Sequence, residues 1–455
     1  MKKLICFVLI LSFLLSLVGC KSANSSINGF KLKDFTIVYS EEDNEYAKRA
    51  AEYIQDQIKE KTGLNLPVIE DSAAAPTANE IVVGNTDRAI SKKLDQERDG
   101  LEFSILYDSG SVALEADYFI IAAAAYFFIA NYVPEGNFAA IIPEEAKIHT
   151  PIIKEAKNFI MLIGDGMGLY QTKMFEYMEN NVEFGMGEDI FFGYYLPYMG
   201  YSRTDSLSGT TDSAAGGTAL ASGTKTINEY IGRDKDLNDL KNLCELAGER
   251  GMSAGVMSTE NKTGATPASF SAHADSRGGL SAILNSQSEA KRGYGLVLEC
   301  NFDYRNVKKM GEHDKKVDYV LETLSANEKG FFMMYEEAYI DKHCHSNNME
   351  SAFMAMVRFN HAIGKFMEFA FYNPETFVLI TADHETGDLY PEEDGTLKYH
   401  HDDHTSANVP IFTYGYGAEL FDGVEIENIQ IAHTIASFMG VYDFGDQSEY
   451  QYLRK

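Results

Sequence analysis

One octet of the chain combines groups that could act on an anion. Residues 211–218 read Thr-Asp-Ser-Ala-Ala-Gly-Gly-Thr, so an acid and a hydroxyl nucleophile, Ser213, precede a run of small residues. A helix beginning there would direct free backbone N–H groups and the positive end of its dipole at an anion held by Ser213. The small residues would let a ligand and metal ions approach the backbone closely. The octet predicts a phosphate site, although by itself it also fits a surface loop rich in Ser, Thr and Gly.

Carboxylates and imidazoles elsewhere in the chain have the spacing of metal ligands. Asp341 and His345 are four positions apart and would share one face of a helical turn. Carboxylate and imidazole are common zinc donors, and one histidine of the segment 400–405, His-His-Asp-Asp-His-Thr, would complete a three-ligand site. Each metal ion would keep an open position for substrate. A second set of three ligands is predicted at Asp165, Asp383 and His384.

Several of these acids follow short apolar runs that are typical of buried parallel strands. The runs are 159–163, 254–257, 331–335 and 377–380, and helical patterns lie between them. Potential ligands follow the runs in chain order: Asp165, then Thr259-Glu260 with Thr266 a loop further on, then Glu336, then Asp383-His384. Because ligands bind outside the carboxyl ends of strands in open parallel sheets, these side chains are expected to converge. Any one of the acids could instead cap a helix.

An arginine completes the set of groups that could hold phosphate. Thr266 begins a segment that ends at Arg277, which would offer two parallel donors to phosphate oxygens. His149, His313, His361 and His433 have no such partners in the sequence, and we interpret them as surface or core residues.

The N-terminus predicts export and a lipid anchor. Met-Lys-Lys precedes an apolar run from Leu4 to Val18, which is the pattern of a signal peptide over residues 1–19. Leu17-Val18-Gly19-Cys20 resembles the bacterial lipobox, which would make Cys20 the lipidated first residue of a tether over residues 20–29. The apolar run is short for a membrane-spanning helix. We therefore expect a protein anchored on the outer face of a bacterial membrane.

Composition limits the classes of partner. The 455-residue chain is 45% hydrophobic and has a formal net charge of −29, which fits a globular protein and repels nucleic acid. A phosphate-bearing substrate would need strong local positive charge, which metal ions can supply. The three cysteines that follow Cys20 do not predict a disulfide framework.

The chain changes character near residues 143–157. Before this stretch, strands at 35–39 and 80–84, a helix at 45–61 and a buried helix at 118–133 predict a small α/β accessory domain over residues 30–150. After it, alternating strands and helices predict an α/β catalytic domain over residues 157–455. Its last helical stripe includes Ile426, Ile429 and Ile435, and Gly440 would cap it.

From about Lys157 to Gly440 the chain resembles the alkaline phosphatase family. The resemblance is carried by several motifs in order: Gly164-Asp165-Gly166, Asp212-Ser213-Ala214, Ala265-Thr266-Pro267 with His273 and Arg277, Glu336, Asp341-Lys342, Asp383-His384 and His404-Thr405. It implies a three-layer α/β/α sandwich around a large mostly parallel sheet, preceded here by the small α/β domain. It also implies that phosphate-ester small molecules are the substrates.

The resemblance assigns a role to each candidate residue. Ser213 would be the phosphorylated nucleophile, and Arg277, Lys342 and Asp212 would bind phosphate. The resemblance also implies two zinc ions and one magnesium ion, each with its own ligands. These are Asp341, His345 and His404 for one zinc, Asp165, Asp383 and His384 for the other, and Asp165, Thr266 and Glu336 for magnesium.

One departure from the family and two alternative functions bear on this interpretation. Gly264 stands where members usually place Asp or His, so the magnesium site is expected to be weaker or differently hydrated. A phosphodiesterase or sulfatase of the same superfamily is one alternative, but those usually carry Thr or a modified Cys, so Ser213 with Arg277 favours monoesters. The other is a non-catalytic surface binding lipoprotein. A homodimer is the expected assembly.

Overall fold

A computed structural model describes residues 25–41, 44–94, 100–144, 146–149, 155–178, 191–301 and 310–454. The predicted signal peptide and Cys20 lie outside the described residues. The chain divides into two compact units, Met1–Pro151 and Ile152–Lys455. Within the described part of the chain, none of the helices combines the length and apolar character needed to cross a bilayer.

The first unit is a small α/β fold. Its strands are β1 (Ser26–Ile27), β2 (Phe30–Lys31), β3 (Thr36–Tyr39), β4 (Val68–Glu70), β5 (Glu80–Val83), β6 (Glu102–Asp108), β7 (Ser111–Glu115), β8 (Ala139–Ala140) and β9 (Ala146–His149), and its α-helices are α1 (Asn44–Thr62) and α2 (Ile121–Tyr132). The main sheet has the order β4-β3-β5-β7-β6-β9, in which β4, β3, β5 and β7 are parallel. The expected small α/β domain is confirmed.

The second unit is built around a larger sheet. Its strands are β10 (Asn158–Gly164), β11 (Tyr198–Arg203), β12 (Ser253–Ser258), β13 (Val297–Cys300), β14 (Phe331–Glu337), β15 (Thr376–Thr381), β16 (Glu385–Thr386), β17 (Leu389–Pro391), β18 (Leu397–Tyr399), β19 (His404–Thr405), β20 (Val409–Tyr414) and β21 (Glu425–Glu427). Its α-helices are α3 (Leu169–Thr172), α4 (Met174–Met178), α5 (Ser213–Ser222), α6 (Leu243–Glu249), α7 (Ala265–Ser269), α8 (Leu280–Tyr294), α9 (Met310–Ser325), α10 (Tyr339–Cys344), α11 (Met349–Tyr372) and α12 (Ile429–Phe438).

The larger sheet is mostly parallel, as expected. Among the described residues its order is β13-β12-β14-β10-β15-β20-β11-β21. The four predicted apolar runs form the adjacent parallel strands β12, β14, β10 and β15. β20 runs antiparallel to both of its neighbours. The polar residues that follow the four parallel strands therefore lie together along the edge formed by the carboxyl ends of these strands.

Helices cover both faces of this sheet and make three layers. Because strand side chains alternate between faces, Phe332 and Phe377 point to one side, where they pack in a buried cluster with residues of α5, α6 and α12. Tyr335 points to the other side and contacts Phe359 and Phe366 of α11. Burying an aromatic or aliphatic side chain of this size contributes about 1.5–3 kcal/mol, so both layers are firmly attached. The expected three-layer α/β/α fold is confirmed.

The last helix begins later than predicted. Ile426 lies in β21, parallel to β11, and α12 begins at Ile429. Ile426 is in a strand because it pairs with β11, and this tertiary contact is not visible in the helical pattern that included it. Gly440 follows the helix with φ +80°, a left-handed conformation that favours glycine.

Candidate active site

The strand register brings the predicted ligands to the same level of the sheet. Ile163 of β10 pairs with Glu336 of β14 on one side and with Thr381 of β15 on the other. Ser258 of β12 also pairs with Glu336. Because the strands end together, the residues that follow them share one edge, where Asp165, Glu336, Asp383 and His384 are all buried.

Ser213 is the first residue of α5, beside these ligands. Asp212 is its N-cap, and the Asp212 Oδ1 atom accepts a hydrogen bond from the Ala215 N–H at 3.0 Å. The hydroxyl of Ser213 lies 3.2 Å from Nε2 of His384, and the residue is 4% exposed. The nucleophile predicted from the octet therefore lies at a helix N-terminus, in contact with one of the predicted metal ligands.

Two glycines allow the ligand segments to approach one another. A Cβ atom on Gly216 of α5 would lie 2.8 Å from the backbone oxygen of Asp383, so only glycine lets the helix pack this closely. A Cβ atom on Gly166 would lie 2.9 Å from Cα of Asp341, and this residue also has φ +73°. The small residues of both motifs are required by these close approaches.

The first group of ligands has the spacing of a tetrahedral metal site. The Nε2 atoms of His345 and His404 are 3.1 Å apart, and they lie 3.3 and 3.5 Å from Oδ1 of Asp341. Ligand atoms at zinc–nitrogen and zinc–oxygen bond lengths would be about 3.3 Å apart in a tetrahedron. This geometry fits one cation held between the three residues.

Hydrogen bonds at the other ring nitrogens fix which atoms face that position. Nδ1 of His345 is 2.8 Å from the carbonyl of Asp402, and Nδ1 of His404 is 2.8 Å from the carbonyl of Thr211. A carbonyl only accepts, so both Nδ1 atoms donate, and in the neutral rings both Nε2 atoms present lone pairs. Two such lone pairs 3.1 Å apart repel each other unless a metal ion or a proton lies between them.

The second group follows the same pattern. Nε2 of His384 lies 3.3 Å from Oδ2 of Asp383 and 3.5 Å from Oδ1 of Asp165. The other Asp383 oxygen, Oδ1, accepts hydrogen bonds from the N–H groups of Gly166 and His384, at 3.3 and 3.1 Å. That leaves Oδ2 free to bind a cation, because no described residue donates a hydrogen bond to it.

Thr386 connects the two groups, and no sequence pattern assigned it a role. Its hydroxyl donates to Oδ1 of Asp341 at 2.7 Å and lies 3.2 Å from Nδ1 of His384. Because the hydroxyl proton goes to Asp341, the oxygen accepts the Nδ1 proton of His384, and Nε2 of His384 is left with a lone pair. The only signal in the sequence is its place two residues after His384.

The three residues predicted to bind magnesium each leave a buried oxygen without a partner in the described part of the chain. Oδ1 of Asp165, Oγ1 of Thr266 and Oε1 of Glu336 are all buried, and none has a hydrogen-bond partner among the described residues. Buried polar atoms without partners are costly, and these are the oxygen ligands that magnesium prefers. The residues predicted to bind magnesium therefore fit a hard cation.

The charges of the site call for cations. Burial, together with the neighbouring Asp383 and Asp341 carboxylates, raises the pKa of Asp165 well above its usual value. Burial and the nearby charge of Glu260 raise the pKa of Glu336 in the same way. Asp341 behaves differently: burial alone would raise its pKa, but hydrogen bonds from His404 and Thr386 and the charges of the neighbouring histidines together lower it. So many buried acids at one edge require positive charge to remain ionised together.

Arg277 and Lys342 lie at the rim of the site with acidic partners. Nη1 of Arg277 donates to Oδ2 of Asp212 at 3.2 Å, and the same oxygen accepts the N–H of Glu229 at 3.0 Å. Nζ of Lys342 lies 2.5 Å from Oε2 of Glu260. Asp212 thus orients the predicted phosphate clamp and caps the helix that carries the nucleophile.

Several histidines lie outside the two ligand groups. Of the histidines in residues 400–405, only His404 joins Asp341; His400 stacks on Tyr390, and the other one, His401, accepts the N–H of Asp403. His273 bonds to Gly232 and Glu245 instead of entering the site. Position in a polar cluster therefore does not by itself make a histidine a metal ligand.

His313 and His361 join neither ligand group, but the structure gives them a shared acidic partner, Asp314. Nδ1 of His313 and Nε2 of His361 lie 3.2 and 2.9 Å from the same oxygen of Asp314. The contact forms because α9 and α11 pack together, which a sequence separation of 47 residues does not reveal. His433 is a core residue as expected, 2.7 Å from the carbonyl of Gly223.

Comparison with known proteins gives a consistent result. The sequence profile of the family described as alkaline phosphatase matches residues 156–299 and 301–392. Alkaline phosphatase 3 of Bacillus subtilis (strain 168) is 29% identical over 328 residues, which cover 60% of this chain and 70% of that protein. The alkaline phosphatase of Escherichia coli (strain K12) is 28% identical over 332 residues, covering 51% of this chain and 70% of that protein.

Solved structures agree on the fold. Alkaline phosphatase from the Antarctic bacterium TAB5 superposes with a TM-score of 0.53 at 27% identity, covering 63% of this chain and 99% of that chain. A mutant of that protein has Mg bound in its M3 site. The alkaline phosphatase of Thermus thermophilus, at 17% identity, has a TM-score of 0.55 over 65% of this chain and 94% of that chain.

Proposed function

The chain belongs to the alkaline phosphatase family, and from this premise we propose that it is a metal-dependent phosphomonoester hydrolase working through a phosphoserine at Ser213. One observation carries the proposal: the hydroxyl of Ser213 lies at a helix N-terminus, 3.2 Å from Nε2 of His384. The proposal is supported by the nearness of this hydroxyl, the N–H groups of a helix N-terminus and two groups of potential metal ligands.

Zinc is the metal that we propose for the two histidine-containing groups. Imidazole and carboxylate are common zinc ligands, and the distances between them suit a tetrahedral ion. For Asp165, Thr266 and Glu336 we propose magnesium, because the set offers only oxygen atoms. When bound, these ions would supply the positive charge that favours an ionised Ser213 hydroxyl and an ionised leaving oxygen.

The residues of the chain would act in two steps. First, Oγ of Ser213 loses its proton to solvent and bonds to phosphorus, and the ester oxygen departs with the bonding electron pair and takes a proton from water. Second, a water molecule loses a proton and its oxygen bonds to phosphorus, the bonding pair returns to Oγ of Ser213, which takes a proton from solvent, and inorganic phosphate is released. Throughout, Arg277 and the first N–H groups of α5 would hold the equatorial oxygens.

A direct test is to trap the covalent intermediate. The wild-type protein, given an aryl phosphate and quenched in acid, should carry one phosphoryl group on the tryptic peptide that contains Ser213. Ser213→Ala should abolish both the label and the release of aryl alcohol. Ser222→Ala removes a hydroxyl from the other end of the same helix and should leave both unchanged. A fully active Ser213→Ala protein would refute the proposal.

Substrate class is tested with matched esters of one aryl alcohol. We expect the monoester to be hydrolysed much faster than the diester, because Arg277 and the helix N-terminus suit a phosphoryl group with three free oxygens. Faster hydrolysis of the diester, or of the aryl sulfate, would instead support the related activities of the superfamily.

We also propose that the protein is exported and anchored to a membrane through lipid on Cys20. The support is the sequence of the N-terminus alone. Cys20→Ser should move the protein from the membrane fraction to the soluble fraction, and metabolic labelling with a fatty acid should be lost. A labelled Cys20→Ser protein would contradict the anchor.

A further inference from the structure

Glu260 is an acid beside the predicted magnesium ligands for which the proposed function has no role. It follows β12, its side chain is 17% exposed, and its Oε2 atom pairs with Nζ of Lys342 at 2.5 Å. The ammonium of Lys342 also lies over the ring of Tyr339, 4.8 Å from its centre. Glu260 therefore holds Lys342 in a defined position at the rim of the site.

The space that Glu260 occupies exists because residue 264 is glycine. A Cβ atom on Gly264 would lie 1.7 Å from Oε1 and 2.2 Å from Cδ of Glu260. The backbone of Gly264 has φ −58° and ψ 155°, which any residue can adopt. Glycine is therefore required here for the space it leaves to the Glu260 carboxylate, and not for its backbone conformation.

Ser258 links the backbone of Glu260 to Glu336, one of the predicted magnesium ligands, by hydrogen bonds. The hydroxyl of Ser258 donates to Oε2 of Glu336 and accepts the N–H of Glu260 at 3.0 Å. The remaining oxygen of Glu336 is one of the three buried oxygens without a partner. Gly264 is two residues before Thr266, which carries another of them. The charge of the Glu260 carboxylate therefore acts on Glu336, and its side chain lies against Gly264, in the segment that carries Thr266.

We propose that Glu260 is a positioning residue of the magnesium site: its carboxylate adds negative charge and an acceptor for the water shell of Mg²⁺, and it holds Lys342 at the edge of the phosphate site. Mg²⁺ keeps several of its waters in proteins, so an acid that binds those waters strengthens the site without direct coordination. This inference rests on the proposed function. It also changes the expectation for Gly264, because the missing acid is supplied from four positions earlier in the chain.

The test uses Ser213→Ala protein carrying the metal ions that it retains on purification, so that the readout does not depend on catalysis. Mg²⁺ is titrated, and the midpoint of thermal unfolding and the Mg²⁺ retained after gel filtration are measured. Glu260→Gln should raise the Mg²⁺ concentration for half-maximal stabilisation about tenfold, the lower end of the range for residues that support metal ligands. Glu299→Gln, a partly exposed acid of β13, should not change it. An unchanged titration with Glu260→Gln would overturn the proposal.

A double-mutant cycle tests the link with Gly264. Gly264→Ala should displace the Glu260 carboxylate and shift the titration as Glu260→Gln does, and combining the two should add little. Gly264→Asp together with Glu260→Ala should restore binding, because it returns an acid to the same space. Additive shifts, or no restoration, would overturn the proposal. A Ser213→Ala protein that still hydrolyses monoesters would refute the proposed function instead. The Mg²⁺ titration would still decide the role of Glu260, because it does not depend on catalysis.

Discussion

The Nε2 atoms of His345 and His404 face each other at 3.1 Å, and a backbone carbonyl accepts a hydrogen bond from Nδ1 of each ring. Hydrogen bonding thus presets both rings as ligands before any ion arrives. Such outer partners fix the tautomer and orientation of metal-binding histidines, and here main-chain atoms provide them. The binding position is therefore built into the fold of two loops.

Metal binding at this group is expected to depend steeply on pH. Burial alone would lower the pKa of His404, but its hydrogen bond to Asp341 raises the pKa to about 9 in the metal-free chain. Below that pH a metal ion must displace the Nε2 proton, so apparent affinity should fall about tenfold for each unit of pH. Competition with a chelator between pH 6 and 8 measures the slope, and His404→Gln should flatten it.

The metal-free protein should show the opposite trend. A folded-state pKa above the unfolded value means that the His404–Asp341 pair stabilises the chain fully below about pH 6.5. This contribution is lost as the pH rises through the folded pKa of about 9. Urea unfolding of chelator-treated protein measures the effect. A free energy of unfolding that does not fall over this window, relative to His404→Gln, would contradict the assignment.

Removal of the Thr386 hydroxyl should weaken metal binding. Thr386→Val keeps the shape of the side chain but breaks the bridge between Asp341 and His384, leaving both ligands less well oriented. Loss of such a partner typically costs about 10–100-fold in metal affinity or activity. Thr413→Val removes an equally buried hydroxyl from β20, where it donates to the carbonyl of Ala418. This variant should leave metal affinity unchanged.

Gly216→Ala should harm the protein despite improving helix propensity. Alanine favours the interior of a helix by about 1 kcal/mol over glycine. The added Cβ would lie 2.8 Å from the oxygen of Asp383, so the ligand segment must move, and overpacking of this kind costs about 1–3 kcal/mol. We expect lower stability and poor metal retention.

Gly293→Ala is the matched control for that substitution. Gly293 lies in α8, and a Cβ atom there would have nothing within 4 Å. It should stabilise the protein by about 0.4–1 kcal/mol and leave its metal content unchanged. Thermal unfolding and elemental analysis measure both quantities. If Gly216→Ala and Gly293→Ala had the same stability and metal content, α5 would not be packed tightly against Asp383, and the prediction would be wrong.

Substitution of Asp212 should separate its two roles. Asn caps helices as well as Asp does, so Asp212→Asn should keep the stability of the protein, whereas Asp212→Ala should lose about 1 kcal/mol. Both variants remove the ion pair with Arg277, which is then less well oriented. Inorganic phosphate should therefore inhibit both less strongly than wild type. A large difference in inhibition between them would mean that the cap, and not the ion pair, controls phosphate binding.

Much of this site could be predicted from the sequence, because its chemistry lies in short segments. Asp212 and Ser213 are adjacent, Asp341 and His345 share a helical turn, and Asp383 follows a buried strand directly. Parallel strands end at a common edge, so the approximate meeting place of such residues follows from their order alone. The family and the fold class could be recognised on the same grounds.

The tertiary structure decided what local patterns leave open. Spacing alone did not choose among His400, His401 and His404, and only the family resemblance pointed to His404, because the choice depends on how the loop before β20 returns to Asp341. The position of Glu260 beside Gly264 and the shared partner of His313 and His361 were likewise hidden. Spacing along the chain determines which face or strand end a residue occupies. Contacts between distant segments depend on strand register and side-chain volume, and these become fixed only when the core packs.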